Sequence, residues 1–368
     1  MTVFSGRVGL IQRVLAEYRV PFFNALGESC PSGLGVFAGN PRQSEMIKTA
    51  NTLDKGQFTL GKNLNLFQGS LYLCIQIGLM RWLKEFDPEV LIVEANPRYL
   101  RTSSALWWMR HRGRAVIGWG LGAPDLSGPL AGLRRQRRAR FISQFTSMIT
   151  YSQVGAEEYI RLGFLPERIF IARNAVTPAP DHAMPIRPLL ASGQRGRVLF
   201  VGRLQARKQV DSLLRACSQL AEPLKPEVVI VGDGPDRPRL QKLAAEIYPH
   251  TSFTGALYGA DLEAEFRAAD LFVLPGTGGL AIQQAMSYGL PVIAAEADGT
   301  QADLVRPENG WQIPPNNLPA LQAALAKALA DITNLRKMGA ESYRIVSEEI
   351  NLEKMVATFV EALNRSLE

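Results

Sequence analysis

Short apolar runs alternate with helical patterns along most of the chain, and this alternation constrains the fold more than any other feature. Segments at 101–110 and 154–162 have the spacing of amphipathic helices. The first half also contains apolar runs typical of buried strands, at 90–93, 115–118, 148–151 and 169–172. This order predicts a parallel sheet with helices on both of its faces.

A proline-rich stretch then interrupts the pattern, and the alternation restarts at residue 197. New apolar runs follow at 197–201, 228–231, 252–254, 271–274 and 291–294. We therefore predict two α/β domains of Rossmann-like type that face each other across a cleft. Their expected bounds, with a linker between them and a C-terminal helix as a candidate for crossing back, are 1–178, 179–196, 197–345 and 346–368.

Composition excludes several other classes of protein. Hydrophobic residues make up 46% of the chain and charged residues 20%, as in folded globular proteins. Three isolated cysteines, with no C-x-x-C, give neither a disulfide framework nor a zinc site, and they fit a reduced cytoplasm. No H-E-x-x-H or Asp-x-Asp occurs, so we expect no metal site and no cofactor.

Positive charge is concentrated in the first half. Residues 1–180 hold 22 Lys and Arg against 12 Asp and Glu, although the whole chain has a net charge of only +7. A single short segment contains five arginines, Arg134, Arg135, Arg137, Arg138 and Arg140. This segment indicates binding to anionic lipid headgroups. A solvated helix face is the alternative, and nucleic acid is not expected, because no nucleic-acid motif accompanies the arginines.

The most apolar stretch of the chain, residues 71–80, is too short to span a bilayer. We expect it to form a buried helix, with an interfacial helix as the alternative.

Two cations follow the first strand of the second domain. Arg203 directly follows V-G at the strand end, and Lys208 comes five residues later. Arginine binds phosphate as a two-pronged donor and lysine binds it as a point charge, so the pair suits a phosphate or diphosphate. A solvated basic turn is the alternative reading.

A glycine-rich loop, G-T-G-G-L at 276–280, joins the strand at 271–274 to a helix. Glycines allow a ligand to approach the backbone closely, and the helix N-terminus offers free N–H groups. The loop lacks the Gly-Lys-Ser/Thr of a Walker A motif. It predicts a phosphate cradle, and the alternative is a tight turn between strand and helix.

Read in order, the second half resembles the retaining glycosyltransferases of family 4, which have the GT-B fold. The resemblance covers about residues 196–330 and rests on an ordered set of motifs, VGRLQARK at 201–208, VVIVGDGPDRPRL at 228–240, FTGAL at 253–257, ADLFVLPG at 269–276, GGLAIQQAMSYGLPVIA at 278–294 and NGWQIPP at 309–315. The first half resembles the family only loosely.

The resemblance implies a donor site in the second domain. Arg203 and Lys208 would hold the donor diphosphate as the catalytic residues, and Leu257 would lie beside the nucleobase. The other residues implied to bind donor are Gly202, Gly276, Thr277, Gly278, Gly279, Leu280 and Gln284. The family usually has a glutamate at each of the positions held here by Gly276 and Gln284.

In the first domain the resemblance implies an acceptor side. The segment 10–19 is expected to be a loop after the first strand, and it brings Gln12, Tyr18 and Arg19 toward the cleft. Trp119 stands at the strand end where the family commonly has a histidine.

The activity implied is transfer of a sugar from a UDP- or GDP-sugar to a glycan or lipid-linked acceptor, with retention of anomeric configuration and without metal. We expect a cytoplasmic location, with the inner face of the membrane as a peripheral site. The alternatives are an inactive relative that binds sugar nucleotide or glycan as a scaffold, and another GT-B enzyme, either an inverting transferase or an epimerase.

Overall fold

The computed structural model describes residues 3–42, 45, 47–191, 193–297 and 299–368. The chain forms two compact units. The first consists of Met1–Val176 together with Leu352–Glu368, and the second of Thr177–Asn351. Within the described residues, no helix combines the length and the apolar character needed to cross a bilayer.

The first unit has a parallel seven-stranded sheet in the order β3-β2-β1-β6-β7-β8-β9. A separate antiparallel hairpin pairs β4 with β5. The strands are β1 Val8–Val14, β2 Leu34–Gly39, β3 Gln57–Leu60, β4 Lys62–Leu66, β5 Leu73–Ile77, β6 Val90–Glu94, β7 Ala115–Gly120, β8 Ser147–Thr150 and β9 Ile169–Ile171. The helices are α1 Val20–Glu28, α2 Leu79–Phe86, α3 Leu100–Arg110, α4 Ala131–Ile142 and α5 Gln153–Arg161.

The second unit has a parallel six-stranded sheet in the order β12-β11-β10-β13-β14-β15. Its strands are β10 Arg197–Val201, β11 Glu227–Val231, β12 Thr251–Gly255, β13 Leu271–Leu274, β14 Val292–Ala295 and β15 Gly310–Ile313. Its helices are α6 Val210–Ser218, α7 Arg237–Ile247, α8 Gly259–Ala268, α9 Leu280–Ser287, α10 Gln301–Leu304, α11 Leu318–Ala330 and α12 Ile332–Glu348. The last helix of the chain, α13 Leu352–Arg365, lies in the first unit.

Continuous apolar strands place the core of each unit on both faces of its sheet. In β6, Val90 and Ile92 pack into one buried cluster of the first unit, whereas Leu91 and Val93 pack into the other. Successive side chains of a strand point to opposite faces, so a wholly apolar strand needs cover on both sides. Helix α13 supplies part of that cover through Phe359, which packs against Trp119.

The segment predicted as a linker packs onto the second unit. Arg187 donates from Nε to the Ala269 carbonyl oxygen at 2.7 Å and from Nη2 to the Phe266 carbonyl oxygen at 2.9 Å. These bonds occupy carbonyl oxygens at the C-terminal end of α8. Arg187 is therefore part of the packing of the second unit. The boundary expected at residue 345 also differs, because α12 continues through it to Glu348.

The buried helix predicted at 71–80 is wrong. Residues Leu73–Ile77 form β5, which pairs antiparallel with β4, and α2 begins only at Leu79. Period-two alternation of C-I-Q-I puts Cys74 and Gln76 on the buried side of the hairpin. That alternation, and the partner strand supplied by β4, outweigh the overall apolar character of the stretch.

Candidate functional site

The two candidate phosphate loops meet at one point of the second sheet. Strand β10 lies between β11 and β13, so the chain order reverses direction there. Ligands of open α/β sheets bind beyond the carboxyl ends of the strands at such a reversal. The loop after β10 carries Arg203 and Lys208, and the loop after β13 carries the glycines of 276–279. The topology therefore brings both loops to the same edge.

Main-chain bonds hold the first of these loops against the neighbouring loop that follows β11. The Gly202 amide donates to the Val231 carbonyl oxygen at 3.0 Å, and the Leu204 amide donates to the Asp233 carbonyl oxygen at 2.9 Å. A Cβ on Gly232 would lie 2.0 Å from the Gly202 carbonyl oxygen, so only glycine permits this approach. Gly232 thus allows the loops that follow β10 and β11 to pack closely.

Arg207 links the cationic loop to the glycine loop. Its carbonyl oxygen accepts the Thr277 amide N–H at 3.1 Å, and its Nη1 donates to the Thr277 hydroxyl at 3.0 Å. The sequence analysis did not identify Arg207 as a site residue, because only Arg203 and Lys208, on either side of it, match the family motif.

Gly276 cannot carry a side chain in this arrangement. A Cβ there would lie 2.2 Å from the Arg207 carbonyl oxygen and 2.6 Å from the Lys208 carbonyl carbon. The residue is buried between the two loops. Gly276 therefore packs between the two loops, and this packing explains why the family glutamate is absent here. Contact of its main chain with donor stays a prediction.

Lys208 extends beneath the glycine loop. A Cβ on Gly278, which has φ +139°, would lie 2.3 Å from the Lys208 Nζ, so the ammonium group is nearly in contact with the backbone. Burial, and to a lesser extent the charge of Arg207, lower the pKa of Lys208 to about 8. A half-buried ammonium group of this kind is stabilised by an anionic ligand, because the ligand's negative charge offsets the loss of hydration on burial.

The carbonyl oxygen of Gly278 accepts a bond from Gln301 Nε2 at 3.0 Å. Gln301 is itself buried and so fixes the direction of this peptide. Helix α9 begins at Leu280, where the Ile282 amide donates to the Gly279 carbonyl oxygen at 3.0 Å, so the positive end of the helix dipole lies at this loop. Gly279 and Leu280 thus lie where the helix dipole favours an anion.

Other predicted donor residues lie around this centre. Arg203 is half-buried beyond the end of β10, and Leu257 is half-buried beyond the end of β12, two strands away. Gln284 is half-buried in the second turn of α9. Its neighbour Gln283 is buried and donates to the Ile350 carbonyl oxygen at 3.0 Å, so the two adjacent glutamines have different surroundings.

The first unit presents a second polar cluster around Arg19. The guanidinium carbon lies 5.7, 5.2 and 5.4 Å from the ring centres of Tyr18, Trp119 and Tyr151, within cation–π range. Arg19 Nη1 is buried and has no hydrogen-bond partner among the described residues. An aromatic enclosure around an unsatisfied donor is suited to a polar or anionic ligand group.

One of the predicted acceptor-side residues differs from expectation. Gln12 lies within β1, which continues to Val14, and not in a loop, and its carbonyl oxygen accepts from Gln76 Nε2 at 2.9 Å. Tyr18 is half exposed in a turn. Trp119 is only 2% exposed and packs against Phe22, so it forms the floor beneath Arg19.

Glu94 was missed by the sequence predictions. It ends β6, next to β1 at the point where the first sheet reverses its strand order. Its Oε1 accepts the Arg13 amide N–H at 2.6 Å. Burial raises the pKa of Glu94 against the opposing effects of that bond and of the charges on Arg13 and Arg19. A carboxylate directly after an apolar strand was the available signal.

The arginine segment forms the exposed helix α4, and three of its side chains dock on main-chain oxygens. Arg135 donates to Arg161 and Arg138 to Pro124, at 2.9 and 2.6 Å, and Arg134 donates to Ser127 at 2.5 Å. Carbonyl oxygens do not neutralise charge, so the helix remains strongly cationic.

Residues 195–331 match the family model described as glycosyl transferases group 1. A GDP-mannose-dependent alpha-mannosyltransferase of Mycolicibacterium smegmatis is 37% identical over 161 residues, which cover 41% of this chain and 40% of that protein. A GDP-mannose-dependent phosphatidylinositol monomannoside mannosyltransferase of the same organism is 28% identical over 212 residues, covering 54% of each chain. The chain thus matches about half the length of these relatives or less.

Solved structures match over nearly the whole chain. The lipopolysaccharide outer core galactosyltransferase WaaB is similar with a TM-score of 0.69 at 15% identity, covering 98% of this chain and 99% of that one. Sucrose-phosphate synthase from Thermosynechococcus elongatus is similar with a TM-score of 0.67 at 18% identity, covering 98% of both. The predicted resemblance is confirmed: residues 195–331 match the glycosyl transferases group 1 model, and the chain has the two-unit α/β fold of these GT-B structures.

Proposed function

We propose that this chain transfers a sugar from a nucleotide-sugar to an acceptor hydroxyl, with retention of anomeric configuration. The supporting observation is the position of Lys208, whose half-buried side chain lies under the glycine loop at the strand reversal of the second sheet. Negative charge develops on the nucleoside diphosphate as it leaves the sugar. Groups that are already oriented toward that charge lower the barrier.

The same groups support transfer without a metal ion. Arg203, Lys208 and the first amides of α9 together provide two cations and a helix N-terminus for one diphosphate. We expect full activity after dialysis against EDTA and no stimulation by added Mg²⁺ or Mn²⁺. Loss of activity in EDTA that returns with metal would contradict this part of the proposal.

The donor is a GDP- or UDP-sugar in this proposal. Two relatives are named for GDP-mannose, and one structural neighbour, the Anabaena protein HepE with a TM-score of 0.69, was solved with UDP. A thermal-shift screen of GDP-mannose, UDP-glucose and related donors tests this choice. Donor consumption by the protein that is stabilised then gives the activity, and NMR of the product anomer tells retention from inversion.

The acceptor is a glycan or a lipid-linked glycan at the cytoplasmic face of a membrane. The cationic helix α4 supports this location, since each basic residue near an anionic surface contributes roughly 1 kcal/mol. Replacing its five arginines by glutamine should release the protein from anionic liposomes at moderate salt. Equal sedimentation of both proteins would contradict the role of α4.

One observation favours a second candidate, an inactive relative that binds sugar nucleotide as a scaffold. Gly276 has no room for the glutamate that the family usually carries. Such a protein would bind nucleotide-sugar without consuming it. A donor-hydrolysis assay on protein that binds donor in the thermal-shift screen separates the scaffold from the enzyme.

A further inference from the structure

The β4–β5 hairpin has two faces of opposite character. Its register pairs Leu64 with Ile75 and Leu66 with Leu73, so these four side chains share one face, and Ile77 extends it. The alternate positions share the other face, where Asn63 pairs with Gln76 and Asn65 with Cys74.

The polar face is the one turned toward the protein. Asn63 Nδ2 donates to the Arg13 carbonyl oxygen at 2.7 Å and to the Asn40 carbonyl oxygen at 2.9 Å. Gln76, only 1% exposed, donates to Gln12 in β1. Because these bonds fix the orientation, the apolar face must point outward, which reverses the usual arrangement of a strand on a core.

The outward side chains at the two ends of the ribbon are strongly exposed, whereas Leu66, Leu73 and Ile75 between them are half-buried. Leu64 and Ile77 are 43% and 49% exposed on the ribbon, and Phe67 and Leu71 are 67% and 72% exposed at its tip. Phe67 adopts φ +60°, which a bulky side chain rarely does. Contiguous exposed apolar surface of this kind is typical of a site that binds a protein or a membrane.

The charged residues near the hairpin indicate which kind of partner it binds. No Asp or Glu occurs between Asp54 and Glu85, whereas Lys55, Lys62 and Lys84 lie within that stretch. Arg98 is also exposed beside β5, where its carbonyl oxygen accepts the Cys74 amide N–H at 2.9 Å. Glu45 and Glu94 also act on Cys74 of β5, but Glu45 is ion-paired with Arg13 and Arg42. Apolar side chains with a mainly cationic surround are complementary to the interface of an anionic bilayer.

We propose that the β4–β5 hairpin inserts Phe67, Leu71 and the apolar ribbon face into the headgroup region of an anionic membrane. The role is separate from that of α4, which lies elsewhere in the first unit and is dominated by its five arginines. It does not depend on glycosyl transfer, since a scaffold protein with this hairpin would bind the same surface.

The test compares two double variants on vesicles of phosphatidylcholine with and without phosphatidylglycerol. Phe67→Asn with Leu71→Ser removes the apolar tip, and asparagine tolerates the left-handed backbone at position 67. Ile186→Ser with Leu189→Ser is the matched control, because these side chains are 95% and 62% exposed in the second unit. We expect the tip variant to bind anionic vesicles at least about tenfold more weakly and the control to bind like the original protein.

A second readout reports insertion directly. The three natural cysteines are buried, so an environment-sensitive dye on a Phe67→Cys variant is expected to label that site selectively. The dye should shift to the blue when phosphatidylglycerol vesicles are added, and the same dye on an Ile186→Cys variant should not. Unchanged melting temperatures of all variants would show that folding is retained.

Three outcomes would overturn the proposal. The first is equal vesicle binding by the tip variant and the original protein. The second is failure of the original protein to bind anionic vesicles at all. The third is a change from dimer to monomer in the tip variant with vesicle binding unaltered, which would assign the hairpin to a second copy of the chain.

Discussion

Arg207 makes two hydrogen bonds with Thr277. The Arg207 carbonyl oxygen accepts the Thr277 amide N–H at 3.1 Å, and the Arg207 Nη1 donates to the Thr277 hydroxyl at 3.0 Å. The pair closes the glycine loop onto the loop that carries Lys208.

Restoring the family glutamate at position 276 should damage the protein. The Gly276→Glu side chain would meet the main chain of Arg207 and Lys208, and such overpacking costs about 1–3 kcal/mol. We expect a lower melting temperature and weaker binding of nucleoside diphosphate. Gly279→Ala is the matched control for the melting temperature alone, because its Cβ would meet only Thr300 Oγ1, at 3.6 Å, although Gly279 itself lies in the candidate donor site. A stable Gly276→Glu variant that binds donor more tightly would contradict the packing described.

Nucleoside diphosphate binding should weaken as pH rises above about 8. Lys208 has a pKa lowered to about 8 in the free protein, and a bound diphosphate raises the pKa by stabilising the ammonium form. Affinity is therefore full below pH 8 and falls by up to about tenfold per pH unit above it, until the pKa of the complex is reached. Isothermal titration between pH 7 and 9.5 measures the slope. A Lys208→Arg variant keeps its charge, and its slope over this range should be flat. A flat profile for the original protein would place the diphosphate away from Lys208.

Gln284→Glu should tighten nucleoside diphosphate binding by about tenfold or less, because a carboxylate accepts bonds from both hydroxyls of a ribose diol, and a net gain of ~1 kcal/mol has that effect. The neighbouring substitution Gln283→Glu is the control. It would place a carboxylate against the Ile350 carbonyl oxygen and should lower the melting temperature. Weaker binding by the Gln284→Glu variant would mean that this side chain does not face the ribose.

Arg19→Gln should reduce acceptor-dependent transfer and leave donor hydrolysis intact, because Arg19 lies in the first unit and the donor residues lie in the second. Loss of the cation–π contacts costs about 0.5–2 kcal/mol of stability. Arg19→Lys keeps the charge but loses the flat guanidinium, so it should restore the stability only partly. An equal fall in transfer and hydrolysis would exclude a specific role on the acceptor side.

The sequence was most informative where structure follows local pattern. Strands such as Leu271–Leu274 have the predicted bounds, and the helix predicted at 101–110 is found at Leu100–Arg110, because continuous apolar runs and helical spacing specify them. The ordered motifs also predicted that the loop of Arg203 and Lys208 and the glycine loop share one site. The motifs did not predict the steric reason for a glycine at position 276, because that reason depends on where Arg207 lies in space.

Features that depend on pairing between segments far apart in the sequence could not be predicted from the local sequence pattern. The hairpin strand Leu73–Ile77 requires β4 as a partner and main-chain acceptors in β1 for Gln76. Composition alone cannot distinguish such a ribbon from a buried helix. Glu94 likewise becomes a candidate only when the strand order places it beside β1.

Turnover by Arg203→Ala and Lys208→Ala variants, with a donor and acceptor that the original protein uses, tests the central claim most directly. The account predicts rates lower by roughly 10²–10³, by analogy with the loss of an oxyanion donor, and a retained fold by circular dichroism. Near-normal rates in both variants would contradict the assignment of the donor diphosphate to this edge of the second sheet.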